Sequence, residues 1–301
     1  MGKIKEFFRV EPHLENEKDQ LYSPSKLAMK TAVQPKTNYE EVVYNDSYKG
    51  NDKKVLILGT EVGALEMKNG KKFLTGNQPV ELFVPMLHWQ KAGFDFDFAS
   101  INGKEIKIEK WALPTEDVAV MRIYEEYRNM LEHPLKITDV LKDSDKDSKY
   151  IAVYIPGGHG AIGDIPYSKD IKKVLLWVIK EDKLLVSICH GPSALLALNL
   201  GENKKNFPFN GYHIAAFPDS NDKLLPSIGY LPGQLPYFYG SKLIDLGVTF
   251  ANKLGNGKVH QDRKLITGDG PMAANELGIL SAKLFLQELY DEAKESLQIN
   301  S

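Results

Sequence analysis

The sequence predicts an α/β protein built on a parallel sheet with helices packed on both faces. Two observations carry this. Short uninterrupted apolar runs, such as KVLILGT from Lys54, YIAVYI from Tyr150 and LLVSI from Leu184, have the composition of strands buried on both sides. These runs alternate with stretches of helical periodicity, such as DIKKVLLWVIKED from Asp170, and that alternation builds strand–helix–strand crossovers. A chain of 301 residues with 43% hydrophobic content is long and apolar enough for one large core with appendages.

Taken in order, residues 1–50 are polar and broken by Pro12, Pro24 and Pro35. Scattered aromatics there, Phe7, Phe8, Tyr22 and Tyr39, suit an N-terminal arm pinned onto the core or onto a dimer partner rather than a domain. The α/β domain is expected over residues 51–301. It opens with the strand at Lys54, a helix from Pro79 to Ala92, where proline suits the first helical position, and the strand FDFDFAS at 94–100. Residues 101–149 are richer in charge, contain Trp111 and Pro114, and end in the run KDSDKDSK at 142–149. They read as a cap or insertion with a solvated linker. The alternation resumes at Tyr150 and continues through the strand before Cys189, YHIAAF at 212–217, KLITGDG at 264–270 and a long terminal helix.

Charge and composition narrow the function. With 38 basic and 40 acidic residues the net charge is -2, which argues against nucleic acid or an anionic membrane as the main partner and suits a small, near-neutral ligand. One cysteine forms no internal disulfide, and no stretch has the length and purity of a membrane span or a signal-peptide core. Cytoplasm is the default expectation. Gly2 invites comparison with a myristoylation signal, but Glu6 stands where serine or threonine is wanted.

In open parallel sheets the ligand crevice lies at the carboxyl ends of the strands. Gly157-Gly158, Cys189 and Asp269 all fall at such ends. Cys189 is the single cysteine, set between an apolar run and a Gly-Pro that can open a helix. A lone cysteine is commonly just a small buried hydrophobe. On a strand-to-helix turn, however, the following helix would lower its pKa from the usual ~8.5 and favour a nucleophile. The backbone N–H groups of Gly158 and His190 are candidates for an oxyanion hole. Glu81 falls in the first turn of the helix from Pro79, where it is either an ordinary capping residue or a proton carrier. His190 adjoins Cys189, so their side chains would meet only across a strained turn. Asp219 and Asp222 could each orient an imidazole or form a turn, and His159 is either pocket wall or loop structure.

Seven motifs in order carry a family resemblance: TGNQPVE at 75–81, KAGFDFDFAS at 91–100, IPGGHGA at 155–161, SICHGPSALLAL at 187–198, GYHIAAFPDSND at 211–222, IGYLPG at 228–233 and DRKLITGDGPMAANELG at 262–278. Together they resemble the ThiJ/PfpI superfamily, and within it the HchA branch of heat-inducible chaperones that are also glyoxalase III enzymes. The resemblance spans roughly residues 20–295. It implies a flavodoxin-like core, a homodimer and an active site without a cofactor. By motif position it makes Cys189 the nucleophile, Glu81 the glutamate that hydrogen-bonds it and shuttles protons, and His190 and Asp222 the remaining members of a triad-like set. The implied activity is a glyoxalase III-type lyase, of the D-lactate dehydratase class, that turns methylglyoxal into lactate without glutathione.

The resemblance also implies alternatives. The same thiol could act as a protein deglycase on methylglyoxal adducts, or the chain could serve as a holdase for unfolded client proteins in the stress response. A Cys-dependent peptidase or amidase is the outside candidate. Family members with a two-histidine, one-carboxylate metal site place its ligands at positions matching Gln90, Asp95 and Tyr127. Only the carboxylate is kept, and glutamine and tyrosine are poor zinc ligands, so no metal is expected there. Nearby His88 reads as a helix-surface or half-buried imidazole.

Overall fold

The computed structural model describes residues 10–143 and 149–299. Phe7, Phe8, the stretch around Gly2 and Glu6, and residues 144–148 of the charged run lie outside the described residues. The chain opens with strands β1 (His13–Asn16) and β2 (Leu21–Ser23) and helix α1 (Lys26–Ala32). There follow β3 (Lys54–Leu58), β4 (Ala64–Glu66), β5 (Lys72–Leu74), α2 (Pro79–Lys91), β6 (Asp95–Ser100), α3 (Val118–Glu132) and β7 (Leu135–Lys136). After β8 (Tyr150–Ile155) come α4 (Lys169–Lys180), β9 (Leu184–Ile188), β10 (His213–Ile214), α5 (Asp219–Leu224) and α6 (Tyr239–Asp245). The chain ends with β11 (Thr249–Phe250), β12 (Val259–Asp262), β13 (Leu265–Gly268) and α7 (Ala274–Ile299), and short helical turns fill several of the connections.

The central sheet has seven strands in the order β12-β13-β9-β8-β3-β6-β7. Every pairing is parallel except that of β12 with β13. The apolar runs explain the layering, because successive side chains of a strand point to opposite faces. Along β8, Val153 and Ile155 pack into one core with Val174, Leu175 and Val178 of α4. Ala152 and Tyr154 pack into the other with α2, α3 and α7, including Leu87, Ile123 and Phe285. Both faces are therefore covered, as the continuous apolar strands require. Along α2, Leu82, Phe83, Met86, Leu87 and Trp89 are all at most 1% exposed, and burial of each contributes about 1.5–3 kcal/mol.

One predicted strand forms differently. Within 212–217 only His213–Ile214 is a strand, and it pairs with β11 in a separate two-stranded sheet. The next two amides are taken by side chains instead: Ala215 N–H donates to Thr267 Oγ1 at 2.9 Å and Ala216 N–H to Asn252 Oδ1 at 3.1 Å. With those groups used, the run cannot extend a ladder.

The stretch 101–149 supplies α3 to the second core and returns through β7 to the edge of the central sheet. The N-terminal strands join β5 and β4 in a small four-stranded sheet. Beyond α1 the chain is tied across the domain by side-chain bonds. Thr37 donates from N and Oγ1 to Asp117 Oδ2 at 3.1 and 2.6 Å, Asn38 Nδ2 to the Met272 carbonyl at 3.1 Å, and Glu40 N–H to Asn275 Oδ1 at 3.0 Å. His88, at 0% exposed, is more buried than its sequence position suggests. It lies beneath this segment, with Nδ1 at 3.1 Å from Tyr44 Oη and Nε2 at 2.9 Å from Asn275 Oδ1. No helix of the described residues is long and apolar enough to cross a membrane.

Candidate active site

Cys189 follows β9 with a left-handed backbone, φ 58°, which costs a non-glycine residue about 1–2 kcal/mol. Three hydrogen bonds hold it there. Its N–H donates to the Gly268 carbonyl at 2.8 Å, and its carbonyl accepts from Phe217 N–H at 3.0 Å and Tyr239 Oη at 2.8 Å. Surroundings that over-determine a strained residue are a common mark of functional sites. The strain has a direct result: adjacent side chains that would normally diverge are brought together, with Cys189 Sγ 3.2 Å from His190 Nδ1.

On its far side His190 Nε2 lies 3.0 and 3.2 Å from the two oxygens of Asp222. His159 Nε2 meets the same carboxylate at 3.1 Å, and the two imidazole rings have centroids 4.2 Å apart. Burial alone would raise the Asp222 carboxyl, but the two imidazoles bring it down to about 2. An ionised Asp222 only accepts hydrogen bonds, so both rings present Nε2–H to it. His190 Nδ1 is then the ring nitrogen that faces the thiol. Asp219 takes no part in this; it caps α6 through Gly240 and Ser241 N–H at 2.9 and 2.7 Å.

Glu81 reaches the thiol from α2. The helix is capped by Gln78, whose Oε1 accepts from the Glu81 N–H at 2.8 Å, so the Glu81 side chain is free of that duty. Pro85 inside the helix has no N–H to give the Glu81 carbonyl four residues back, and Tyr154 Oη donates to that carbonyl instead. The backbone of Glu81 is thereby fixed from β8. Its side chain is 0% exposed, and neither carboxyl oxygen has a nitrogen or oxygen partner. The group that can hydrogen-bond it is the Cys189 thiol. Such a buried carboxyl resists ionisation. Burial pushes Glu81 well above the usual carboxylate range, and the Glu109 and Asp269 carboxylates push the same way.

The thiol overturns one expectation. Burial, then the Glu81 and Asp222 carboxylates, push Cys189 up, against the single lowering contribution of the Gly158 N–H. The helix after the turn, Gly191–Asn199, is a 3-10 helix whose N-terminal field does not offset full desolvation. Burial thus keeps the thiol above its ordinary range. Gly157 and Gly158 permit the approach. A Cβ on Gly157 would overlap the Glu81 carboxyl and the Cys189 Cβ, and Gly158 sits at φ 98° with its N–H toward the sulfur.

These groups open into a cavity of about 380 Å³ walled by Trp111, Tyr230, Phe217 and Met272 and, from the N-terminal segment, Val33 and Lys36. Asp269, at the end of β13, braces its rim by accepting from Asn256 and Gly257 N–H at 3.0 and 2.9 Å. Glu109, 1% exposed, also lines the cavity. Sequence reasoning missed Glu109 and the N-terminal contribution. Neither carries a local signal, since Glu109 is brought in by pairing of Asn77 with Ile108.

Two clusters bear on metal binding. His159, His190 and Asp222 place one donor atom each within 4.8 Å of one another, but those atoms hydrogen-bond one another, and an ion would have to break all three contacts. At Gln90, Asp95 and Tyr127 the residues do not fit zinc. Gln90 Oε1 accepts from Arg122 Nη2 at 3.0 Å, Gln90 Nε2 donates to Glu126 at 2.7 Å and Tyr127 Oη to Asp95 at 3.1 Å. A guanidinium thus stands beside the oxygen a cation would need.

A cysteine on a strained turn between strand and helix, on a helix-covered parallel sheet, with an imidazole–carboxylate pair behind the thiol and a buried carboxyl before it, defines a class of cysteine-centred α/β proteins. Comparison with known proteins gives the family. The DJ-1/PfpI family profile matches residues 73–283, and the chain belongs to that family. It is 41% identical over 275 residues to the Escherichia coli K12 protein named protein/nucleic acid deglycase 1, covering 91% of this chain and 95% of that one. The Shigella sonnei protein/nucleic acid deglycase HchA is 40% identical over 280 residues, covering 93% and 97%. Among solved structures, the Francisella tularensis rapid encystment protein has a TM-score of 0.64 at 23% identity, over 78% of this chain and 99% of that one. Glyoxalase III from Candida albicans has 0.60 at 22%, over 77% and 98%. At those identities the two structures speak for the shared fold.

Proposed function

We propose that the protein is a glutathione-independent glyoxalase that converts methylglyoxal to lactate through Cys189. What supports this most is Glu81, a fully buried carboxyl with no nitrogen or oxygen partner, set against the thiol. An unpaired carboxyl in that position destabilises the resting protein and is suited to moving protons. In the first step the sulfur adds to the aldehyde carbon C1. The C–S bond forms, the carbonyl π pair moves to oxygen, Glu81 gives its proton to that oxygen and His190 Nδ1 takes the thiol proton, giving a hemithioacetal beside a Glu81 carboxylate and a His190 imidazolium. Gly158 N–H and His190 N–H face the developing oxyanion. Glu81, now a carboxylate, takes the C1 proton and later returns it to C2, so that an enediol becomes a thioester of lactate. Water adds to the acyl carbon and the C–S bond breaks; His190 returns its proton to the sulfur, one water proton goes to Glu81 and the other passes to solvent as lactate forms.

A second substrate fits the same chemistry, and the names of the relatives together with a cavity of about 380 Å³, far larger than methylglyoxal, favour it. On a methylglyoxal adduct of an amine the thiol displaces nitrogen from C1. The C–N bond breaks as the C–S bond forms, and the amine leaves with the Glu81 proton while His190 Nδ1 takes that of the thiol. The hemithioacetal is then the same. We propose further that the protein is a cytoplasmic homodimer whose holdase activity toward unfolded clients uses apolar surface rather than the thiol.

The test is methylglyoxal turnover by purified protein without glutathione, wild type against Cys189→Ala. Lactate formation that the substitution abolishes is expected, with suppression of client aggregation unchanged. Equal turnover in both proteins would overturn the enzymatic assignment.

A further inference from the structure

Enediol chemistry needs two proton-handling positions, because one group serves the carbons while the vicinal oxygens must gain and lose protons in turn. Glu81 stands next to the sulfur and the carbon it attacks. A second buried carboxyl lines the same cavity and the steps above leave it unused: Glu109.

Its placement is built. Asn77 and Ile108 form a parallel bridge, with Asn77 N–H donating to the Lys107 carbonyl at 2.6 Å and Glu109 N–H to the Asn77 carbonyl at 3.0 Å. That ribbon runs straight into Gln78, which caps the helix carrying Glu81. The two carboxyls thus hang from paired segments and converge on one cavity. Thr75 Oγ1 donates to Glu109 Oε1 at 2.8 Å, which fixes its orientation. The loop 157–159 connects it to the thiol: the Gly158 N–H faces the Cys189 sulfur, and the next N–H along, that of His159, faces the Glu109 carboxyl. Consecutive residues are about 3.8 Å apart, the scale on which an oxyanion donor and a group for the neighbouring oxygen of a vicinal dicarbonyl must be spaced.

We propose that Glu109 is a second catalytic acid–base residue, acting on the two oxygens of the dicarbonyl while Glu81 acts on its carbons. This rests on the glyoxalase assignment above. As Glu81 takes the C1 proton, the C1–H electron pair forms the C1=C2 bond, and the C2=O π pair takes a proton from Glu109. The enediol results. As C2 then receives its proton from Glu81, the C1 hydroxyl gives its proton to the Glu109 carboxylate and becomes the thioester carbonyl. Glu109 ends as it began, and no electrons are gained or lost. The surroundings suit this exchange, since burial raises its carboxyl to about 7 against the His159 imidazole and the Thr75 hydroxyl. The other titratable groups that sense it are Glu81 and Tyr230, both pushed up partly by its charge.

Glu109→Gln keeps the shape and the acceptor for Thr75 but cannot ionise. Methylglyoxal turnover is expected to fall about 100-fold, while the Cys189 alkylation rate stays within a factor of a few of wild type. Thr75→Val is the companion variant. It keeps the carboxyl and removes a donor that favours its ionised form, so the acid–base inflection near pH 7 in the kcat profile should move upward. Turnover in Glu109→Gln within threefold of wild type, or an unmoved profile in a folded, active Thr75→Val protein, would overturn the proposal and leave the glyoxalase assignment standing. A wild-type protein without turnover would overturn both.

Discussion

Helix α2 carries a polar cluster at each end, and the two ends obey opposite rules. At the N-terminal end Glu81 is fully buried and both its oxygens lack nitrogen or oxygen partners. At the C-terminal end Gln90 is bonded on both sides of its amide, Glu126 takes Arg122 at 2.7 Å, and Asp95 takes Tyr127. Those charged groups are also open to solvent, with Arg122, Glu126 and Asp95 side chains 51%, 40% and 55% exposed. Buried polar groups in folded proteins are nearly always satisfied. An exception that persists beside a thiol points to chemistry, and a closed, solvated network points to structure.

The largest break in this contrast should come from Glu81→Gln. The amide keeps the volume and loses the proton transfer, so turnover should fall about 100-fold or more. A second readout should not move with it. Glu81 is held protonated by burial, and glutamine keeps a donor toward the sulfur, so the pH midpoint of Cys189 alkylation should stay close to that of wild type. In wild type that midpoint should lie above the ~8.5 of a free thiol. Near-normal turnover in a folded Glu81→Gln protein would return the residue to a structural role.

Asp222 should show a smaller effect, read in stability. Its folded carboxyl is brought down to about 2, against ~3.9 in an unfolded chain. A depressed carboxyl stabilises the fold above the unfolded value, and the contribution is lost as pH falls through the folded one. On the order of 2–3 kcal/mol is expected to disappear between about pH 4 and pH 2. Urea midpoints measured across that range should fall in wild type and fall less in Asp222→Asn. Parallel slopes in the two proteins would show that the imidazoles do not hold the carboxylate as described.

What the sequence disclosed, and what it hid, follows from how local each signal is. The strand before Cys189, the Gly-Pro after it and Pro79 before Glu81 are local, so the turn and the first helical turn were both legible. The inward aim of Glu81 was not, because it depends on Gln78 taking the cap and Tyr154 taking the carbonyl that Pro85 leaves without a donor. Glu109 was invisible, since its approach is set by a bridge between residues about thirty positions apart. The direction of the thiol's shift was misread for the same reason. A turn before a helix is visible in sequence, whereas desolvation from strands and loops far along the chain is not, and here desolvation is the larger effect. At 212–217 the alternation was apparent, but Thr267 and Asn252 captured the amides that a strand would have used.

The smallest effect is expected at the other end of α2, and it sharpens the contrast by its smallness. Tyr127→Phe removes one hydroxyl, whose partner Asp95 is solvated and paired with Lys54 at 3.4 Å, and it keeps the ring against Phe96 and Phe98. A single hydrogen bond to a wet carboxylate is worth about 0.5–1 kcal/mol, so the urea midpoint should move slightly and turnover not at all. The same network bears on metal. Zinc favours imidazole, thiolate and carboxylate ligands at about 2.0–2.3 Å, and the Arg122 guanidinium donates to Gln90 Oε1 where such a cation would sit. Protein purified without a metal-binding tag should therefore carry substoichiometric zinc by elemental analysis. Stoichiometric zinc that Asp95→Ala removes, or a tenfold loss of turnover in Tyr127→Phe, would tie the two ends of the helix together and end the distinction drawn between them.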